Sequence, residues 1–427
     1  MTVQGTMTAR PQDATGPEHP PAATDVPPAP PAMSSAGEVP FEIEEIFFSR
    51  TDGRGRIISG NDVFQRVSQY AWAEMIDRPH NIIRHPDMPR AVFFVLWDFI
   101  RAGRPVGAYV KNRARDGRHY WVYAVVTPVE DGYLSVRLKP SSALFPAASR
   151  LYAAVRAHEH DSDPKPADSA RSMLGSLREA GFRDYTAFMA TALAAEMKAR
   201  DAALGRPVWP ALGNFEALAA SAGMLVATTS RMLDLVSSFR YTPSNLRIQA
   251  ARRGDEGRAI AEISTNYGRI SDSIVANLQE LHAAADEVAT SVNDGLFLTC
   301  TARVQEETAR FFENEAAASA ENRAEEATRL LRQTEDCRTL ADEKFDLIKT
   351  RISRFFDLTG DMKRLVSALV AVRVMGKVES VGLFDGIFAE LIGDLERGQQ
   401  SLSSGLAEIW TINTRISDDL EQLDGRR

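Results

Sequence analysis

Arg84, His85 and Asp87 stand within four residues of one another in "HNIIRHPDMPRAVFFVLWDFI" (80–100), with Pro86 and Pro89 interleaved. A guanidinium is a planar fork that pairs with phosphate oxygens, an imidazole donates or accepts, and a carboxylate accepts. The prolines fix φ nearby and so limit the entropy lost in ordering a binding loop. On residue types alone two readings stand side by side. One is such a loop. The other is a surface ion pair with a helix cap, Asp87 preceding the apolar run and Pro89 lying in its first turn. Downstream, Asn112 sits mid-strand in "VKNR" and offers a donor and an acceptor together. Trp97 and Trp121 occupy spacings at which aromatic side chains serve as core. His119 and Tyr120 flank a turn and are expected outside. His158 and His160 have the spacing of a metal pair, but "HEHDSDPKPADS" is polar, contains two prolines and holds no further ligands, so it reads as an exposed loop. His282 reads as surface.

The chain has 427 residues, 44% of them hydrophobic, enough for two or three domains with cores of their own. Its net charge of −8 argues against nucleic acid as the main partner. The charge is uneven: residues 41–142 carry about +3 and residues 143–427 about −8. Cys300 and Cys337 are the only cysteines and form no C-x-x-C, so neither a disulfide framework nor a thiolate zinc site is expected, and a reducing cytoplasm is the simplest setting. The N-terminus lacks the layout of a signal peptide. The most apolar long window is taken to be 365–384, which holds Arg373, Lys377 and Glu379, so no membrane span is expected.

Residues 1–40 contain nine of the 21 prolines and read as disordered. From Phe41 the order is strand, strand, helices, three strands. "PVGAYVKNRARDGRHYWVYAVVTPV" reads as a hairpin about Asp116-Gly117, a two-residue type I′ signal. This predicts an α+β domain over 41–142, a small antiparallel sheet with helices on one face. Residues 143–213 read as a linker with helices over 168–180 and 184–204. From Asn214 onward a helical bundle or coiled coil is expected over 214–427. Leu218, Ala222, Leu225, Thr229, Met232, Val236 and Phe239 form one seam; Ile260, Ile263, Tyr267, Ile270, Ile274, Asn277 and Leu281 form a second. A third, Ile348, Ile352, Phe355, Thr359, Met362, Val366 and Leu369, repeats the first, which suggests a duplicated hairpin (214–292 and 344–424) closing as four helices.

Over about 95 residues, "GNDVFQRVSQY" (60–70), "RPHNIIRHPDMP" (78–89), "VKNRARDGRHYWV" (110–122) and "GYLSVR" (132–137) resemble, in order and spacing, the sensory PAS domain of bacterial aerotaxis receptors, which holds FAD. The resemblance implies a flavin pocket with Arg84, His85, Asp87, Trp97 and Asn112 as contacts: Arg84 toward phosphate, His85 and Asp87 bracing the loop or donating to the ring, Asn112 as amide partner of the reactive flavin edge. Haem on His85, or no cofactor, are the alternatives. Where the family has a tryptophan this chain has Val106, so Trp97 or Tyr109 would have to stand in for it.

A second resemblance lies in "NLRIQAARRGDEGRAIAEIS" (245–264), which is similar to the hairpin tip of methyl-accepting chemotaxis proteins. Asn245, Arg252, Gly254, Gly257 and Arg258 fall on that pattern, with Gln249 and Asp255 in place of glutamates. It implies contact with a chemotaxis histidine kinase and its coupling adaptor, in a homodimer. The bland alternative is an ordinary helix–helix turn. Neither the family's membrane anchor nor a convincing pair of methylation sites is seen, "RAEEATR" (323–329) being the nearest. The expectation is therefore a cytoplasmic redox or oxygen sensor and not an enzyme. There is no catalytic triad, P-loop, kinase or cyclase signature. A cofactor-free PAS module on an oligomerising helical scaffold is the alternative.

Overall fold

The structure, a computed structural model, describes residues 37–207, 209–239, 241–252, 254–314, 320–379 and 386–424. Residues 1–36 of the proline-rich segment lie outside these.

Five strands, β1 (Phe47–Asp52), β2 (Ile57–Gly60), β3 (Val106–Arg113), β4 (His119–Val129) and β5 (Gly132–Leu138), form one antiparallel sheet in the order β2-β1-β5-β4-β3. Between β2 and β3 run α1 (Asp62–Ser68), α2 (Trp72–Met75), a 3₁₀ turn at His80–Ile83 and α3 (Arg90–Arg101). This is the α+β arrangement expected from the strand and helix order. Asn61 begins it: its Oδ1 accepts from Phe64 N and Phe48 N while its Nδ2 donates to the Ile46 carbonyl, so one buried amide caps α1 and ties it to β1. The β3–β4 turn is not type I′. Gly117 N donates to the Ala114 carbonyl, and Gly117 alone in the loop has positive φ (93°), so it is a longer loop closed by a left-handed glycine.

After the sheet come α4 (Phe145–Ser162), α5 (Pro166–Glu179) and α6 (Tyr185–Ala203). Two expectations change here. "HEHDSDPKPADS" is no exposed loop: α4 continues through His158 and His160 to Ser162. The reason is Glu159. Its buried carboxylate accepts from the backbone N–H of Arg90 (2.8 Å) and Ala91 (2.9 Å) and from Ser169 Oγ (2.6 Å), capping α3 from another element. And the stretch read as a linker packs onto the sheet, with α6 burying Tyr185, Phe188, Met189, Leu193 and Glu196.

The remaining helices are α7 (Pro210–Phe239), α8 (Thr242–Ala251), α9 (Arg258–Asn314), α10 (Ala320–Glu379) and α11 (Gly386–Asp424), with a 3₁₀ turn at Gly254–Gly257 between α8 and α9. α7 packs on α9 and α11, and α10 packs on the same two, so four helices close within one chain. The seam residues from Leu218 to Val236 and from Ile348 to Leu369 are buried; the Phe239 side chain lies outside the described set. Thr229 and Thr359, matched in the two seams, each turn a hydroxyl back onto a carbonyl four residues earlier, Leu225 (3.0 Å) and Phe355 (2.8 Å). The second seam keeps its heptad spacing but takes the neighbouring line: Ser264, Ser271 and Leu278 are buried, whereas Ile263, Ile270 and Asn277 are half-buried. His282 is half-buried rather than surface, its Nδ1 lying 3.0 Å from Thr229 Oγ1. Among the described residues, Pro210–Ala251 and not 365–384 is long and apolar enough to cross a membrane (mean hydropathy 1.2 over its best window), and Leu218, Leu225 and Met232 within it are bundle core.

Removing the borrowed cap should be costly. Glu159→Ala leaves two buried amides at the start of α3 unpaired and is expected to destabilise the protein by about 2 kcal/mol in chemical denaturation; a loss below about 0.5 kcal/mol would show that α4 does not hold α3.

Candidate functional site

Strand register divides the sheet into two chemically different faces. On the inner face, toward α1 and α3, Asn112 pairs with Tyr120, Val110 with Val122, Ala108 with Ala124, Arg137 with both Ala124 and Phe47, and Ser135 with both Val126 and Ser49. Among mostly apolar neighbours this face carries Asn112 (2% exposed), Tyr120 (0%), Ser135 (7%) and Arg137 (4%). Arg137 Nη2 donates to Ser49 Oγ (2.9 Å) and to His80 Nε2 (2.6 Å). A guanidinium only donates, so His80 Nε2 is the acceptor and its proton sits on Nδ1. His80 stacks on Phe64 at 5.9 Å, and the Arg137 guanidinium lies 5.4 Å from the same ring. Burial, then the charges of Arg137 and Arg84, hold the His80 imidazole well below its usual pKa, hence neutral. Five buried polar atoms here have no partner among the described residues: Arg84 Nε, Asn112 Nδ2, Tyr120 OH, Ser135 Oγ and Arg137 Nη1.

The segment around Arg84 lies along β3, the free edge of the sheet. Arg84 bridges to Asn112, His85 N donates to the Lys111 carbonyl, and Met88 Sδ accepts from Lys111 N. Arg84 turns inward with its guanidinium 3.6 Å from the Phe93 ring, and burial lowers its pKa to about 10. Its neighbours turn outward. Asp87 is 62% exposed and accepts from Lys111 Nζ at 2.6 Å; burial raises its carboxyl, but Lys111 and His85 together hold it below the usual range. His85 Nδ1 accepts from Asp87 N at 3.1 Å, and burial followed by Lys111 lowers its imidazole to about 4. Asp87 does not cap α3: Pro89 is the N-cap residue, and Glu159 does the capping. Thus Arg84 and Asn112 come together on the inner face, while His85 and Asp87 brace the loop on the strand's outer edge. Trp97 joins neither group. It packs edge-on against Tyr133 (5.6 Å), four residues and about 13 Å along β5 from Arg137. Tyr109 is on the opposite face, whereas Val106 shares the face of Asn112.

Tyr120, expected outside, is fully buried and stacks on Phe47 at 5.8 Å. His80, Tyr120, Ser135 and Arg137 lie within the stretches 78–89, 110–122 and 132–137 but were not singled out, because nothing local shows which of those side chains face inward. The available signal was alternation: Ser135 and Arg137 are polar at every second position of "GYLSVRL", a strand whose other side chains are apolar.

The outer face is joined to the helices. Tyr109 OH donates to Glu196 Oε1 (2.7 Å), Tyr123 OH to the Met189 carbonyl (2.7 Å), Tyr185 OH to the Gly107 carbonyl (2.9 Å), and Gln305 Nε2 to Thr127 Oγ1 (3.1 Å). At the far end of α9, Gly254 has φ of 62°, and a Cβ on Gly257 would lie 1.9 Å from the Ala250 carbonyl oxygen, so the turn requires both glycines. Asn245 and Arg252 are exposed there, and Arg258 pairs with Asp255 at 2.6 Å, both open to solvent.

A five-stranded antiparallel sheet with its helices between the second and third strands defines a PAS domain, and a family model described as PAS fold matches residues 57–135. This domain is homologous to the PAS region of the aerotaxis receptor of Escherichia coli (strain K12), 37% identical over 123 residues. That alignment covers 28% of this chain and 24% of the receptor. A nitrogen fixation regulatory protein of Klebsiella pneumoniae is 28% identical over 88 residues, 21% of this chain and 18% of that one. The chain therefore spans about a quarter or less of these relatives. Among solved structures, the light state of the blue-light photoreceptor Aureochrome1 LOV is 21% identical, covering 24% of this chain and 88% of that one with a TM-score of 0.22. The LOV domain of the Erythrobacter litoralis EL346 histidine kinase is 18% identical, covering 22% and 90%, with a TM-score of 0.20.

Two histidines held neutral by the fold give a signed prediction. Unfolded, each takes a proton as pH falls through about 6.5, while the folded protein stays unprotonated at His80 and, down to about 4, at His85. Stability is therefore fully present above pH 6.5 and declines on acidification, by up to about 1.4 kcal/mol per pH unit for each histidine. Denaturation curves at pH 7, 6 and 5 should show the decline, and His80→Asn should flatten it.

Proposed function

We propose that the chain is a PAS-type redox or oxygen sensor that holds a flavin against the inner face and passes its state through the helices to a signalling partner. The observation that carries the ligand is that five unpartnered buried polar atoms lie on or beside the same face of the PAS sheet. A fold does not leave several such groups unsatisfied without cost, and a polar ring edge would satisfy them. The aerotaxis resemblance supports flavin as that ligand. Asn112, with donor and acceptor, would meet the ring edge; Arg84 and Arg137 would meet negative charge; Tyr120 and Ser135 would supply hydroxyl contacts. A bound flavin would supply a ring whose charge and protonation change on reduction.

The protein's own part is to convert that change into strand movement. Asn112 and Tyr109 share β3 on opposite faces, and Tyr109 is bonded to Glu196 on α6. A shift that repositions Asn112 therefore alters the seat of α6, and through Thr127–Gln305 that of α9, as a shift in populations rather than a turnover. At its far end the exposed Asn245, Arg252 and Arg258, on the glycine turn, would meet a histidine kinase or coupling adaptor of chemotaxis type.

The purified full-length protein is expected to have a flavin absorption spectrum, with Arg84→Ala and Asn112→Ala each lowering retained flavin at least several-fold. A haem band would transfer the ligand role to a histidine. A colourless protein that stays colourless with added FAD would overturn the sensor reading in favour of a cofactor-free interaction module. For the output, Arg252→Ala with Arg258→Ala should abolish pull-down of the kinase or adaptor while leaving the spectrum unchanged.

A further inference from the structure

Four buried or half-buried arginines elsewhere meet carboxylates. Arg50 pairs with Glu326, Arg200 with Glu307, Arg303 with Asp201 and Arg373 with Glu396, at 2.6 to 3.0 Å. Arg84 and Arg137 break this pattern. Arg137 is 4% exposed, and its partners are a serine hydroxyl and a neutral imidazole. Arg84 faces the Phe93 ring. No ion pair joins either to an acid among the described residues, and each keeps an unpartnered buried nitrogen. Arg137 is bonded to His80 and Arg84 is bridged to Asn112, so both reach the same inner face of the sheet. His80 cannot relieve them, since its Nε2 already accepts from Arg137 and its own protonated form would add a third positive charge. Tyr120, whose hydroxyl has no partner among the described residues, stacks on Phe47, the strand neighbour of Arg137, and adds a further donor to this face. A buried cation without a counter-charge is disfavoured unless a partner arrives.

We infer that the inner face of the PAS sheet is an anion-recognising site, in which Arg137, oriented by His80 and Ser49, takes a negatively charged group of the ligand with Arg84 on the same face. The inference rests on the core holding a ligand, but not on that ligand being a flavin. With a flavin, the negative group is either the phosphate of the side chain or a deprotonated ring edge. A compact oxyanion would satisfy the same donors. Arg137 is thus the residue that makes charge, and not only ring shape, a condition of binding, a role no sequence motif assigns to it.

The test is titration of full-length protein with FAD, FMN and riboflavin by flavin fluorescence, for the parent, Arg137→Gln and Arg137→Lys, with far-UV circular dichroism to confirm folding. Arg137→Gln should weaken binding at least tenfold and Arg137→Lys should restore most of it, because the charge is kept. If the anion is phosphate, the parent prefers FAD and FMN to riboflavin at least tenfold and Arg137→Gln erases the preference. If it is the ring edge, the three bind alike and are weakened alike. Equal binding by parent and a folded Gln variant, or equal weakening by Gln and Lys, overturns the inference. Should the parent bind no flavin, the flavin reading fails separately, and inorganic phosphate and citrate become the probes. A rise in Tm with either that is lost in Arg137→Gln sustains the anion site; no rise overturns it.

Discussion

The Glu196 carboxylate, wholly buried and with no ion-pair partner among the described residues, is the constraint that joins the sheet to the helices that follow it. It accepts from Tyr109 OH (2.7 Å), Ser142 Oγ (2.6 Å), Ser142 N (2.9 Å) and Ser141 N (2.6 Å). A carboxylate taken out of water is tolerable only when its lone pairs are filled in this way. The donors come from β3 and from the chain leaving β5, while the acceptor rides on α6. The sheet therefore cannot keep its outer face and shed its helix. The tyrosines at 123 and 185 follow the same rule, each crossing the boundary to bond a backbone carbonyl on the other side. The stretch that the sequence suggested was a linker packs, physically, against the sheet and α3.

β3 is squeezed between two demands. As an edge strand it needs its free backbone groups covered, and the "RHPDMP" segment does so through Arg84, His85 and Met88. Such an edging alternates its side chains in and out, which is why Arg84 enters the core while His85 and Asp87 brace Lys111 outside. The cluster is one device for closing a sheet edge and for bringing a charge inside it. Its prolines suit both, since neither task leaves the segment free to move.

The α+β domain was legible because alternation and turn residues are local signals, and the bundle because seams such as Leu218 to Val236 persist over several turns. Arg84 and Asn112 were legible through motif resemblance. Tyr120 and Arg137 were not, because which side of a strand faces inward is set by pairing partners far away in sequence, and one residue of slip inverts the answer. Asn277 illustrates the helical version: the lines Ile263–Ile270–Asn277 and Ser264–Ser271–Leu278 share one spacing, and packing buries the second. Glu159 shows a third kind of blindness. A carboxylate in a charged stretch looks solvated until the amides it caps, nearly seventy residues away, are brought to it.

α9 begins at the exposed turn, and from Gly257 to Phe297, which lies against the sheet at Gly107, it runs 40 residues without a break, about 60 Å at 1.5 Å per residue. Along that length Ile260, Tyr267, Ile274 and Leu281 are buried against the neighbouring helices, so the helix cannot tilt alone. A tilt of about 3° at its seat on the sheet would carry the bundle with it and sweep the exposed turn through about 3 Å, comparable with the helix shifts that operate known switches. The bundle is then a single stiff arm, joined to the sheet by buried bonds such as Gln305 to Thr127.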